Sequence, residues 1–162
     1  MKGLLIFSYF IVCAAIIFVV PGIVAPYEPY STLDAGQALA LCLGIAAIVG
    51  YLIYRNREQG SFLLQLFAWG LLVRLIVASG IFAFHAQDFF GGDAITYDFF
   101  GFAQMRAWEG DAYFKVLSDR FEAGQASAWG MVKMVAVVYS LIGRNTLAIQ
   151  FVNSIIGAAT RT

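Results

Sequence analysis

Two carboxylates, Asp93 and Asp98, stand among four phenylalanines and a tyrosine in FFGGDAITYDFFG, residues 89–101, directly after a long apolar run. A carboxylate within hydrogen-bond reach of a hydroxyl can take its proton. Ahead of AITYDFF the same side chain also suits a helix N-cap, a position that favours Asp. Asp98 falls inside the helix that would follow and reads as a solvated or headgroup-facing residue. Arg106 carries a guanidinium whose fork matches phosphate oxygens, with Glu109 as a competing partner. Lys133 lies about ten residues into a later apolar segment. An ionisable group there is costly and often marks a function, unless it snorkels to the interface. Metal chemistry has little to work with: there is one histidine and no CxxC or HExxH spacing. Cys13 and Cys42 sit in apolar segments and read as small packing residues.

The elements that must position these groups are membrane helices. Of 162 residues, 61% are hydrophobic and only 12% charged, about half the charge of a soluble domain, where roughly a quarter is usual. Formal net charge is zero and the basic residues are scattered, so no nucleic-acid footprint appears. The expected class is all-α and multi-pass, with spans at about 3–20, 35–54, 61–86, 123–142 and 146–160, and an outer loop over 87–122. Pro21–Gly22 should end the first span. That run exceeds a signal-peptide core, and Pro26 follows the tempting IVA cleavage site, so it reads as a retained helix. Ala40, Gly44, Ala47 and Gly50 suit close helix contact in the second span. The fifth run stops at Arg161–Thr162 without an anchoring loop, which reads as one membrane domain cut from a longer protein.

Basic residues in short loops set orientation. With the amino terminus cytoplasmic, Lys2, Arg55, Arg57 and Arg144 lie on the cytoplasmic side of an inner (plasma) membrane, and every acid except Glu58 lies on the outer side. In the outer loop Ile95, Phe99, Phe102 and Met105 recur at helical spacing, and DAYFKVLSDRF repeats the pattern with Tyr113, Phe114, Val116, Leu117 and Phe121. Two short helices along the membrane surface fit it, with Gly91 and Gly92 allowing the bend into them. Arg74, deep in the third span, reads as a structural contact to carbonyls or another helix, and His85 as an interfacial histidine. Gln150 and Asn153 share a helix face with Gly157 and read as bonding to neighbouring helices.

Taken in order, the arginine-bearing span LLVRLIVA, the outer GGDAITYD and surface helices ending in a WEG turn resemble the GT-C glycosyltransferases. These include the protein mannosyltransferase-like and aminoarabinose transferase-like groups. WGMVKMVAVVYSLIGRNTLAIQFVNSIIGAAT is similar to the stretch after their first large outer loop, so the likeness spans roughly residues 65–160. It implies transfer of a sugar from a polyprenyl-phosphate donor to an acceptor at the outer membrane face. Asp93 is then the catalytic base, with Asp98, Arg106 and Lys133 as substrate contacts. Ala94 follows Asp93 where many relatives carry a second acid, so no paired-carboxylate metal site and no cofactor are implied. The partners implied are the bilayer, the lipid-linked sugar and an acceptor. A complete transferase needs more than these residues. The rival expectation is a non-catalytic membrane subunit or assembly factor that binds a partner through its outer aromatic helices.

Overall fold

Uninterrupted apolar length decides the first elements. The computed structural model describes residues 2–26, 29–55, 58–86, 93–124 and 129–160, and among them every regular element is an α-helix. Three helices are long and apolar enough to cross a membrane: Gly3–Val24, Thr32–Arg55 and Gly60–Ala83.

The first comprises α1 (Lys2–Phe18) and α2 (Val20–Val24), and it does not end at Pro21. Val19 keeps a right-handed helical backbone at the joint, and Pro21 sits in the first turn of α2, where a missing N–H costs nothing. The second, α3 (Thr32–Arg55), starts three residues before the expected Ala35. Ser31 and Asp34 form a reciprocal cap: the Ser31 amide donates to Asp34 Oδ2 at 2.8 Å and the Asp34 amide to Ser31 Oγ at 3.2 Å. A close turn leads to α4 (Gly60–Ala83), where a side chain on Gly60 would drive its Cβ to 3.0 Å from the Tyr54 carbonyl carbon. At its far end α4 is capped by Phe84, and the next residue, His85, takes a positive φ of 51°.

These helices touch one another along narrow seams. The Tyr9 hydroxyl donates to the Ala68 carbonyl at 2.9 Å, joining α1 to α4, and Cys42 is buried as a packing residue. Elsewhere large apolar side chains face outward: Phe10 and Phe18 are 72% and 74% exposed, and Ile48, Val73 and Val77 are more than half exposed. A surface this apolar is unsuited to water and suits lipid.

The chain divides into two compact units, Met1–His85 with Leu147–Thr162, and Ala86–Thr146. The second holds α5 (Asp93–Trp108), α6 (Ala112–Gly124) and α7 (Trp129–Ile142), while α8 (Thr146–Ala159) falls almost wholly in the first. Segment 123–142, expected to cross as one span, divides between the end of α6 and a 14-residue α7. At 1.5 Å per residue α7 extends about 21 Å, short of a hydrocarbon core of roughly 30 Å. The fifth run, at 14 residues in α8, is equally short. The bend assigned to Gly91 and Gly92 lies outside the described residues.

Helices α5 and α6 form the two-helix arrangement expected at 94–121. Gly110, at φ 96°, closes α5 with paired bonds from its own amide to Ala107 and from the Asp111 amide to Arg106, a Schellman motif. Asp111 Oδ1 then caps α6 by accepting from the Tyr113 and Phe114 amides at 3.1 and 3.4 Å. Phe100 stacks on Phe121 at 3.9 Å, and Ser118 donates to Gln104 at 2.5 Å.

Along its other face α5 crosses α7 antiparallel, with Asp98 opposite Tyr139 and Gly101 opposite Val135. A Cβ on Gly101 would stand 2.6 Å from Val135 Cβ, so only glycine permits this crossing. Gly101→Ala is therefore expected to lower stability by about 1–3 kcal/mol through overpacking, measured by thermal unfolding in detergent. Adding Val135→Ala should restore most of the loss.

Candidate functional site

Asp93 is the first residue of α5, and its carboxylate is exposed. It lies where the helix dipole favours negative charge. That placement leaves its oxygens accessible to an approaching hydroxyl, which a proton acceptor requires.

Asp98, one turn and a half further on, is not a solvated residue. Its side chain is only 16% exposed and joins three segments. The buried Tyr139 hydroxyl donates to Oδ1 at 2.5 Å, and Arg144 Nε donates to the same oxygen at 3.2 Å. Arg144 Nη2 pairs with Oδ2, completing a two-pronged clamp. The guanidinium also lies 5.1 Å from the centre of the Phe102 ring, within cation–π range. Gly143, at φ 81°, ends α7 and turns the chain so that Arg144 folds back onto α5.

Reading the sequence missed Tyr139 and Arg144. Basic residues in short loops had placed Arg144 on the cytoplasmic side and Asp98 on the outer side. The two are in direct contact, so they share one side of any bilayer. The signal that could have found them was the helical row Asp98, Gly101 and Met105, whose small central residue marks a helix crossing.

Arg106 takes the competing partner. Nη1 pairs with Glu109 Oε2 at 2.8 Å and Nη2 with Asp111 Oδ2 at 3.5 Å. Both Arg106 and Glu109 are about half exposed, and such surface pairs contribute about 0–1 kcal/mol. Lys133 is the fifth residue of α7, about 6 Å from its start at 1.5 Å per residue, rather than ten residues deep. It pairs with Glu122 of α6 at 2.9 Å. Asp98, Arg106 and Lys133 thus each engage a different partner, and Asp93 stands apart from all three pairs.

A cavity of about 490 Å³ lies in the first unit, lined by Leu5, Ile6, Tyr54, Leu64, Gln65 and Trp69 among others. None of Asp93, Asp98, Arg106 and Lys133 lines it. Among the described residues no cluster of three or more His, Cys, Asp or Glu side chains could hold a metal ion. No protein-family model, curated protein or solved structure matches the chain.

Two measurements test the Asp98 clamp. In a double-mutant cycle, Asp98→Ala is expected to destabilise by about 2–3 kcal/mol because it strands the buried Tyr139 hydroxyl, whereas Tyr139→Phe costs about 1 kcal/mol. Single cysteines at Ala94 and Ser140, in a background lacking Cys13 and Cys42, should react with an impermeant maleimide from the same side of sealed vesicles. Labelling from opposite sides would contradict the clamp.

Proposed function

We propose that the chain is a multi-pass inner-membrane protein, its amino terminus cytoplasmic, that serves glycosyl transfer from a polyprenyl-phosphate donor at the outer face. The outward-facing apolar surfaces of α1, α3 and α4 support the membrane reading. The exposed Asp93 carboxylate carries the chemical reading: it opens α5, the next helix after the membrane-length α4 in the described sequence, and no described ion pair consumes it.

In this reaction an acceptor hydroxyl gives its proton to Asp93 as its oxygen bonds to the anomeric carbon. The bond from that carbon to the phosphate oxygen breaks, and polyprenyl phosphate leaves with the electron pair. Arg106 and Lys133 are surface cations whose exposed pairs can exchange a carboxylate for a phosphate. Asp98 acts one step back: by clamping α7 and the following turn onto α5 it sets the axis of the helix that begins with Asp93.

The second reading, a non-catalytic membrane subunit, gains from the same pairings. If Arg106, Lys133 and Arg144 serve only to hold α5, α6 and the α7 turn together, the unit is a scaffold presenting Ile95, Phe99, Tyr113 and Val116. The two readings separate in one assay. Membranes bearing the protein expressed from its intact gene are supplied with a panel of radiolabelled polyprenyl-phosphate sugars. Transfer should fall about 100- to 10,000-fold in Asp93→Asn, the usual contribution of a general base, with unchanged expression. Undiminished turnover removes Asp93 from the reaction, and no transfer with any donor favours the scaffold.

A further inference from the structure

Arg74 is the one cation within the interior of the three membrane-length helices. It stands fourteen residues after Gly60 and nine before Ala83, about 21 and 14 Å from the two ends of α4 at 1.5 Å per residue. Helical side chains tilt toward their own amino terminus, here away from the nearer end, which opposes an escape to the interface. The guanidinium lies instead against α8: a Cβ on Gly157 would stand 3.2 Å from Nη1 and 3.3 Å from Cζ. Gly157 therefore makes room for it, as the expected helix contact, but supplies no side-chain acceptor.

Within the described residues this guanidinium makes no hydrogen bond and no ion pair. On the same two helices Ser79 Oγ and Gln150 Oε1 are buried without partners, so an acceptor on α8 goes unused while the cation stays unpaired. Asp34 and Glu58 lie at helix ends or turns, and the other described acids fall between residues 93 and 122. A second copy of these residues therefore brings no carboxylate to this depth. Lipid phosphates sit outside a hydrocarbon core roughly 30 Å thick, beyond a group at mid-helix. Beside Arg74, Val73 and Val77 form an exposed apolar stripe one turn apart, a seat for another helix.

We propose that Arg74 is the docking point for a carboxylate carried at mid-membrane depth by a transmembrane helix of a partner protein. The carboxylate accepts the guanidinium's paired N–H groups while the partner's backbone packs over Val73 and Val77. This rests on the membrane reading of the first unit and not on glycosyl transfer.

The test uses the full chain in phosphatidylcholine vesicles and a synthetic single-span leucine helix bearing one central Asp, with association read by energy transfer. The Asp probe should bind at least tenfold more tightly than its all-Leu and central-Asn counterparts, and moving Asp two turns toward either end should abolish the preference. Arg74→Gln should erase it and Arg74→Lys retain part of it, with helicity by circular dichroism showing that the variants fold. Equal binding of the Asp and Asn probes to the unaltered protein overturns the proposal even if a variant fails to fold. So does a preference that survives Arg74→Gln, or binding that follows phosphatidylglycerol content instead of the probe's charge. Protein stripped from vesicles by alkaline carbonate defeats the membrane reading itself, a failure distinct from lost probe selectivity and from the outcome of any sugar-transfer assay.

Discussion

The Asp98 carboxylate holds the second unit together. A phenol from the interior of α7 and a guanidinium from beyond its end converge on a carboxylate that is itself nearly buried. Buried anions persist only when their oxygens are well satisfied, and here both are. The glycine crossing at Gly101 and the Arg144–Phe102 contact depend on the same close approach. Each contact reinforces the others in holding α5 against α7, and Asp93 stands at the head of the helix they position.

The membrane-length helices were legible because hydrophobic length is a property of sequence alone. Their ends were less so. Pro21 looked like a terminator, yet its missing N–H falls in a first turn where none is needed, and the Ser31–Asp34 cap starts α3 ahead of its apolar run. The two short helices at 94–121 were readable from periodicity, and the Arg106–Glu109 pair from spacing.

What the sequence concealed was the tertiary destination of its charges. Arg144 in a three-residue polar turn is indistinguishable from a topology-setting anchor until Asp98, 46 positions earlier, is seen beside it. Likewise 123–142 is apolar enough to suggest a span, but α7 spends one face on α5 and packs Tyr139 against a carboxylate that a lipid-facing helix could not accommodate. Chemistry was legible as a set of candidates and not as a constellation, since Asp98, Arg106 and Lys133 turn to different neighbours.

The Gly110–Asp111 corner has a bearing on the order of assembly. Its two reversed amide bonds, the Asp111 cap and the Arg106 pair all connect groups within about five positions of one another, so the α5–α6 elbow can form from local information as soon as that stretch is synthesised. Closure by Arg144 must wait for another thirty-odd residues and bears a larger loop entropy. The corner thus rests on contacts local in sequence, whereas its attachment to α7 rests on a long-range one.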